Sequence, residues 1–416
     1  MSPVLPAPSP QRVLAASLIG TAIEFYDFYI YATAASLVFG PLFFPASSPS
    51  AQLLSAYASF SIAFVARPLG ASVFGHFGDR IGRKSTLVAS LLLMGGSTLA
   101  IAFLPTYAQA GWIAPALLCT LRFGQGFGLG GEWGGATLLA VEHAPPGKRA
   151  RYGMFPQLGA PVGFIASNGA FLLLGLWLEG DDFQRWGWRL PFLASALLVA
   201  IGLWIRLALS ETPAFAAAIA KAPPPRVPLA ELVRRHLPQL IGGTFAVVAC
   251  YAIFYLSTAF ALGYGTSVLG IPRETFLALG IVGAGYLADR FDPRRVLMAG
   301  AGLTIPAGFL LAPCLGGGSL GAIFGFLSLA LFLMGFVYGP LGAFLPALFP
   351  ARVRYTGASM AFNVGGILGG ALAPVIAQAL SERGGLWPVG LYLSGAALVS
   401  LIALVVRPRS VDQAEE

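Results

Sequence analysis

Long apolar runs alternate with short polar segments along the whole chain. A helix needs about 20 apolar residues to cross a hydrocarbon core of about 30 Å, and eleven of the runs are long enough to do so. The runs lie at 13–39, 54–77, 86–105, 111–139, 154–178, 189–209, 238–264, 276–288, 296–314, 320–348, 357–380 and 387–406. The pattern predicts an all-α, polytopic membrane protein with twelve transmembrane helices.

The eighth run is the exception. Residues 276–288 would form only about 20 Å of helix, and Arg273 and Glu274 place charge just before it. We therefore expect an unusually short eighth helix, unless residues have been lost from this part of the chain.

The composition agrees with a membrane protein. Of the 416 residues, 57% are hydrophobic and only 10% are charged, and the mean hydropathy is +0.78, whereas soluble domains average about 25% charged residues. The 53 Gly and 31 Pro fit the same class, because both residues are frequent in transmembrane helices.

The positive charges fall on one side of the predicted spans. Of 25 Lys and Arg, 19 lie in segments on the side of the N-terminus, Arg206 among them, and two lie within spans, Arg67 and Arg122. The remaining four are Arg185, Arg189, Arg273 and Arg383. Loops rich in Lys and Arg stay cytoplasmic, so we expect both termini in the cytoplasm. The net charge of +8 therefore reports topology in a lipid bilayer and does not indicate nucleic-acid binding.

The chain divides into two similar halves. The polar stretch 210–236 separates residues 1–209 from 237–416, and we expect it to be a cytoplasmic linker between two six-helix bundles. Gly75–Arg80 and Gly285–Arg290 precede the third and ninth runs with the same Gly-x-x-x-Asp-Arg spacing, and Arg-x-Arg-Tyr recurs at 149–152 and 352–355. Two repeats in the same orientation predict pseudo-symmetric bundles about an axis normal to the membrane.

Several motifs carry a resemblance to a known family. GHFGDRIGRK at 75–84 resembles the loop signature of the major facilitator superfamily. Six further stretches resemble its metabolite:proton symporter family: GTAIEFYDFYIYATAA (20–35), FVARPLGASVFGHFGDRIGRK (64–84), LRFGQGFGLGGEWGGA (121–136), WGWRLPF (186–192), ETPAF (211–215) and FPARVRYTGASMAFNVGG (349–366). The resemblance implies alternating access in a cell inner membrane, with a carboxylate such as 2-oxoglutarate, citrate or shikimate, or a zwitterion such as proline or betaine, as substrate.

Acidic residues within the spans are candidates for proton coupling. Glu24 and Asp27 are three residues apart and so share one side of a helix, and Glu132 lies in the fourth run. A carboxylate in lipid is costly unless it is paired, hydrated or protonated, and a group that alternates between these states can carry a proton. Asp27, the deeper of the first two, is our first choice. The alternative is that these acids are hydrogen-bonded within the bundle.

Arg122 and Arg67 are the candidate substrate ligands, because a guanidinium binds a carboxylate through two hydrogen bonds. Acids of the first helix are the alternative partners of both. Five neutral residues could line the same cavity: Gln125, Gln157, Tyr251, Tyr255 and Asn363. Hydrogen bonding between helices or ordinary packing would explain these five equally well.

A third group of charged residues would form a cytoplasmic gate. By the resemblance, Asp79 meets the start of the eleventh helix and Arg83 pairs with Glu142 or Glu211. The gate candidates are Asp79, Arg80, Arg83, Lys84, Glu142, Arg151, Asp289, Arg290 and Arg354. The alternative is a solvated basic loop that only sets topology.

The second half departs from this pattern. Asp292 stands where Gly82 stands in the first loop, Pro293 stands in place of Arg83, and Ala347 in place of Glu142. We therefore expect the gate contacts formed by the second half to be weaker than those formed by the first.

Other kinds of site have little support in the sequence. Cys119, Cys250 and Cys314 lie in apolar runs, and His76, His143 and His236 are far apart. We expect no metal, no cofactor and no catalytic activity. The sequence thus predicts a monomeric, proton-coupled symporter of a small organic anion, with an osmolyte symporter or a proton-driven drug exporter as alternatives.

Overall fold

The computed structural model describes residues 10–44, 49–178, 180–208, 212–221, 225–257, 274–317 and 319–406. Within these ranges all regular secondary structure is helical.

Twelve long helices follow the twelve apolar runs. They are α1 (Pro10–Ala34), α2 (Pro49–Arg80), α3 (Arg83–Ile101), α4 (Ile113–Glu142), α5 (Arg149–Trp177), α6 (Leu190–Leu207), α7 (Leu237–Tyr255), α8 (Glu274–Phe291), α9 (Pro293–Gly316), α10 (Leu320–Tyr338), α11 (Arg354–Gly366) and α12 (Leu386–Val405). Ten helical stretches are long and apolar enough to cross a membrane, and the one that includes α11 extends beyond it, from Arg354 to Gly384. Within the described residues, α4 and α8 contain no such stretch. The predicted all-α polytopic fold is confirmed.

Shorter helices fill the connections. Two lie in the linker, at Pro213–Lys221 and Pro228–Arg235, and Leu341–Ala347 follows α10. Tyr107–Ala110 and Gly180–Arg185 lie in loops of the first half.

The eighth helix is longer than its apolar run predicts. It extends from Glu274 to Phe291 and has 18 residues, which corresponds to about 27 Å. The apolar run stops at Ala288 because Asp289 and Arg290 are charged, yet both belong to the last turn of the helix. Arg273 lies outside the described residues.

The helices form two bundles with matching contacts. In the first bundle (the N half) α1 packs on α5, α2 on α4 and α3 on α6; in the second (the C half) α7 packs on α11, α8 on α10 and α9 on α12. The halves meet where α2 contacts α11 and α5 contacts α8. We call the side on which α1 begins and α12 ends the terminal side.

Glycine lets α2 and α4 approach to backbone contact. A Cβ atom at Gly70 would collide with the carbonyl of Phe127, and one at Gly130 would collide with the carbonyl of Arg67. Small residues allow such close packing of membrane helices. The contact fixes the backbone from which the Arg67 side chain extends.

Three of the long helices continue into π-helical turns, and the one after α7 is described only for residues 256–257. Ala35–Phe39 follows α1, and Ile367–Ala371 follows α11 before the chain resumes as Ala373–Gly384. Each turn lies toward the side opposite the terminal side.

Candidate functional site

A cavity lies between the two halves, and about 580 Å³ of space, open solvent included, is free of protein atoms there. The N half lines it with Glu24, Phe25, Phe28, Tyr29, Arg67, Leu129, Trp133 and Ala160, and the C half with Cys250, Tyr251, Phe254, Tyr255, Met334, Tyr338, Phe362 and Asn363. We call this space the central cavity. Its wall is mainly aromatic, and its polar side chains therefore stand out.

Three buried polar atoms on this wall have no hydrogen-bond partner among the described residues. They are Glu24 Oε2, Arg67 Nε and Tyr338 Oη. Buried polar groups are normally satisfied by protein or water. A cavity that brings together three unsatisfied groups, one of them cationic, is therefore suited to a polar ligand.

Aromatic rings hold Arg67 in place. Its guanidinium carbon lies 4.6 Å from the ring centres of both Phe28 and Phe64. Glu24 and Arg67 are near enough to interact electrostatically, yet they form no ion pair in the described structure. Arg67 is thus positioned by ring faces and remains available to an anion in the cavity.

The tyrosines of α7 form one wall of the central cavity. The rings of Tyr251 and Tyr255 are stacked, with centroids 6.3 Å apart and planes 8° apart, and Tyr255 packs edge-on against Phe64 of the other half at 5.8 Å. The structure thus brings both tyrosines to the cavity.

Asp27 and Arg122 do not line the central cavity. They line a smaller space of about 190 Å³ within the N half, with Phe28, Met94, Gln125, Gly126 and Leu129. We call it the side pocket. Residues three apart on a helix point about 60° away from each other, which is enough to turn Asp27 into this pocket while Glu24 faces the central cavity.

Polar side chains in the side pocket are only partly satisfied. Arg122 Nη1 donates to Gln125 Oε1 at 3.0 Å, and Gln125 Nε2 donates to Thr98 Oγ1 at 2.7 Å. Ser195 Oγ donates to Asp27 Oδ1 at 2.6 Å. Asp27 Oδ2 and Arg122 Nε and Nη2 have no partner among the described residues.

Glu132 is engaged in an ion pair. Its carboxylate pairs with Arg206 and accepts a hydrogen bond from Ser90 at 2.7 Å, and Arg206 also donates to the Leu87 carbonyl at 2.8 Å. The cytoplasmic position expected for Arg206 stays a prediction. Arg206 belongs to the last turn of α6, and its long side chain reaches inward to Glu132.

Contacts between the halves close the cavity toward the terminal side. Trp133 stacks on Phe362 with ring centroids 3.8 Å apart and planes 2° apart. Gln157 Nε2 donates to the Tyr338 carbonyl at 3.1 Å, and Asn363 Nδ2 donates to the Gly130 carbonyl at 3.0 Å. We call these contacts the floor of the central cavity. Gln157 lies in the floor, whereas Asn363 belongs to both the floor and the cavity wall.

Beneath the floor, Asp79 of the N half binds the start of α11. Its carboxylate accepts hydrogen bonds from the amides of Tyr355 and Thr356, at 3.1 and 2.9 Å, and from the Thr356 hydroxyl at 2.7 Å. A helix N-terminus favours negative charge. We call this cluster, with Arg83, Glu142 and Arg354, the first terminal contact.

Arginines of both halves surround Glu142 in the first terminal contact. Arg83 lies 3.7 Å and Arg354 3.6 Å from Glu142 Oε1, and Arg83 lies 3.4 Å from Asp79. Arg83 also donates to the Ala351 carbonyl of the C half at 3.1 Å. Glu211, the other expected partner of Arg83, lies outside the described residues.

Asp289 of the C half binds the start of α5 in the same way. It accepts from the amides of Ala150 and Arg151, at 2.8 and 3.2 Å. Arg151 Nε also lies 2.9 Å from Asp289 Oδ2, with 38% of its side chain exposed. We call this cluster the second terminal contact.

Three of the predicted gate residues lie at the surface. Arg80 donates to the carbonyl of Arg226 in the linker at 3.4 Å, and Lys84 donates to the Leu207 carbonyl at 2.7 Å. Arg290 lies over the ring of its neighbour Phe291. The gate role predicted for these three stays a prediction.

The sequence did not point to Tyr338, Trp133, Ser195 or Arg206 as members of these sites. Tyr338 and Trp133 are embedded in apolar runs, where nothing in the sequence marks the helix face that meets the other half. Only Arg206 carried a signal, since it lies near the end of the sixth apolar run (189–209) rather than in a polar loop.

Comparison with known proteins agrees with this architecture. The family model of the Major Facilitator Superfamily matches residues 17–360. Among solved structures, the proton:xylose symporter XylE bound to 6-bromo-6-deoxy-D-glucose superposes with a TM-score of 0.77 over 98% of both chains, at 14% sequence identity. At that identity the likeness concerns the fold alone.

Curated relatives match almost the whole chain. The Escherichia coli inner membrane metabolite transport protein YhjE is 51% identical over 96% of this chain and 94% of its own. The shikimate transporter of Escherichia coli is 38% identical, covering 95% and 94%. The proline/betaine transporter of Salmonella typhimurium is 33% identical, covering 94% and 82%. The family resemblance read from the sequence motifs is thereby confirmed.

Proposed function

Because the chain belongs to the Major Facilitator Superfamily, and is therefore a multi-pass membrane transporter, we propose that it is a proton-coupled symporter of a small organic anion. It works by alternating access as a monomer in the inner membrane, with the terminal side in the cytoplasm. The observation that supports this proposal best is that Arg67 and Glu24 lie on the same cavity wall and form no ion pair with each other.

The closeness of Arg67 and Glu24 links anion binding to proton binding. A substrate carboxylate is held by the Arg67 guanidinium through two hydrogen bonds, whereas an ionised Glu24 beside it repels the anion. A proton on Glu24 therefore strengthens anion binding, and the bound anion strengthens proton binding by the same factor. Asp27 in the side pocket is a second candidate for the proton site. Glu132 is the third candidate, although its ion pair with Arg206 favours the ionised carboxylate.

A zwitterionic osmolyte is the second candidate substrate. The stacked faces of Tyr251 and Tyr255 suit a quaternary ammonium group, which binds aromatic rings, while its carboxylate binds Arg67. The shikimate transporter and the proline/betaine transporter among the relatives match the two candidates. A drug exporter, the third alternative, would not depend on Arg67.

The state seen here is closed toward the terminal side. The floor and the two terminal contacts lie between the cavity and the cytoplasm in the proposed orientation. Release into the cytoplasm then requires these contacts to separate, as the two halves rock about the cavity.

Transport by purified protein in proteoliposomes tests this function. Labelled shikimate, citrate, 2-oxoglutarate and betaine are offered with and without an imposed pH gradient. We expect gradient-driven accumulation of at least one carboxylate and its loss in Arg67→Gln. Accumulation of betaine alone would establish the osmolyte alternative, and full activity of Arg67→Gln would refute the proposed anion site.

Two further variants identify the proton site. Glu24→Gln or Asp27→Asn should abolish the accumulation of substrate that the pH gradient drives, while exchange of labelled for unlabelled substrate continues. The variant that leaves accumulation intact excludes its residue from coupling. Arg206→Gln tests the third candidate, because it removes the partner of Glu132; it also acts on Glu24, with which Arg206 interacts electrostatically.

A further inference from the structure

One aromatic ring is shared by the central cavity and the side pocket. Phe28 lines both. The guanidinium carbon of Arg67 lies 4.6 Å from its ring centre, and that of Arg122 lies 4.9 Å from the same centre. Among the described residues no other ring contacts both cations in this way.

The neighbouring rings contact only one of these arginines. Phe64 lies under Arg67 at 4.6 Å, and Phe60 lies under Arg122 at 4.7 Å. Tyr31 also contacts Arg122, at 4.0 Å. Phe28 therefore joins the two arginines through a single ring, whereas the route through Phe60 and Phe64, whose ring centroids are 5.7 Å apart, passes through two.

The side pocket contains the group that would start such a change. Asp27 adjoins Phe28 in the chain, and its Oδ2 atom is buried without a partner. Arg122 of α4 lines the same pocket. In the described part of the chain, four charged or titratable groups surround Asp27: Glu24 and Tyr26 on α1, Arg122 on α4, and Arg67 on α2 beyond the Phe28 ring. The helices α3 and α6 contribute only hydroxyl groups, those of Thr98 and Ser195.

We infer that Phe28 is a positioning residue that couples the side pocket to the central cavity. A proton on Asp27 removes a negative charge from the pocket that Arg122 also lines, the guanidinium moves on the Phe28 ring, and the ring moves against Arg67. The inference rests on the proposed proton coupling. It adds that protonation of the side pocket alters the central cavity even when no substrate is bound.

Cys250 provides a readout that needs no substrate. It lines the central cavity and is 1% exposed, so its reaction with N-ethylmaleimide reports opening of that cavity. The full-length protein is used with Cys119 and Cys314 replaced by Ser. Labelling rates are measured from mildly acidic to mildly alkaline pH and divided by those of Asp27→Asn, which removes the pH dependence of the thiol itself.

We expect the normalised rate to change roughly two- to fivefold across this range, the size of one cation–π contact. The change should disappear in Phe28→Leu and persist in Phe28→Tyr, which keeps the ring. Phe64→Leu and Phe60→Leu are matched controls, because each removes a ring that contacts one arginine alone, and both should retain the pH response.

Two outcomes overturn the inference: a rate that does not depend on pH in the protein with Phe28 intact, or a pH response that survives Phe28→Leu. An equal loss in all three Phe→Leu variants would show general loosening of the aromatic cluster and would also overturn it. The proposed function is decided separately, by uptake of shikimate, citrate, 2-oxoglutarate and betaine, so the two can fail independently.

Discussion

Each half of the molecule offers an aspartate to the first turn of a helix in the other half. Asp79 binds the start of α11, and Asp289 binds the start of α5. Both accept two backbone amides, so both use the positive end of a helix dipole. The two contacts thus follow one design, as expected of repeated halves.

The surroundings of the two aspartates differ. Asp79 is buried, accepts a third hydrogen bond from a hydroxyl, and lies beside Arg83, which is also fully buried. Asp289 pairs with Arg151, which is 38% exposed. Ion pairs open to solvent contribute about 0–1 kcal/mol, whereas breaking a buried pair costs about 3–5 kcal/mol.

Local sequence explains the difference. Pro293 occupies the position of Arg83 and has no cationic side chain, and Ala347 occupies the position of Glu142. The weaker second gate expected from the sequence stays a prediction, which the exposed partner of Asp289 supports. If closure depends mainly on the first terminal contact, substitutions there should have the larger effects.

Opening of the terminal side can be followed with one reporter. Ser359 is buried and faces Gly134 across the two halves, so a Ser359→Cys variant without the native cysteines reacts with a maleimide only when the halves separate. The rate at which this cysteine is labelled therefore measures how often the terminal side opens.

The largest effect is expected from Glu142→Gln. The substitution removes the acid that faces both Arg83 and Arg354 and leaves two largely buried cations without it. The cost of about 3–5 kcal/mol should raise labelling on the order of a hundredfold or more. Glu382→Gln, at an exposed acid on the opposite side, is the control, and an equal rate in the two variants would contradict the prediction.

Asp79→Asn should have the next largest effect. An amide has one oxygen acceptor in place of two, so it cannot accept all three hydrogen bonds from Tyr355 and Thr356. Hydrogen bonds to charged groups contribute about 1.5–3 kcal/mol, which predicts a rise in labelling of roughly ten- to a hundredfold. A rise below threefold would show that this carboxylate does little to hold the halves together.

Asp289→Asn should raise labelling less than Asp79→Asn, by roughly five- to tenfold. The amide loses one acceptor oxygen here too, but it faces two backbone donors instead of three donors, and the ionic partner of Asp289 is exposed. This pair of variants tests the comparison directly. Equal or greater opening in Asp289→Asn would mean that burial does not rank the two contacts.

The smallest effect is expected at the loop between α8 and α9. Asp292 has a φ of 87°, where Gly82 in the first loop has 121°. Asp292→Gly should relieve about 1 kcal/mol of backbone strain and lose only a few tenths from the hydrogen bond to the Arg294 amide. Thermal unfolding in detergent should show a slightly raised midpoint, and Gly82→Asp a lowered one. A lowered midpoint in Asp292→Gly would show that the cap outweighs the strain.

Much of this architecture could be predicted from the sequence. Apolar runs marked all twelve helices because a membrane requires continuous apolar length. Asp79 and Asp289 could be matched because their motifs recur 210 residues apart. Charged residues within apolar runs pointed to Glu24, Asp27, Arg67 and Arg122, because charge in lipid is costly.

The division of these residues between two pockets could not be predicted. Glu24 and Asp27 differ by about 60° around α1, and only the packing of neighbouring helices decides which space each one meets. Tyr338 was missed for a related reason: α10 is apolar all round, so its sequence shows no preferred face. Ring contacts such as those of Phe28 depend on three helices at once.

The π-helical turns after α1 and within the α11 region add a consequence for movement. Such a turn breaks the regular 3.6-residue pattern and often marks a functional bend. Both lie beyond the floor, in the part of the molecule away from the aspartate contacts. The terminal side is held by the aspartate contacts, whereas single helices can bend on the opposite side. Solute could then enter by local bending of these helices, while its release requires the two bundles to separate. Hydrogen exchange should therefore be faster at 35–39 and 367–371 than in the adjoining turns, and equal protection throughout would exclude such bending.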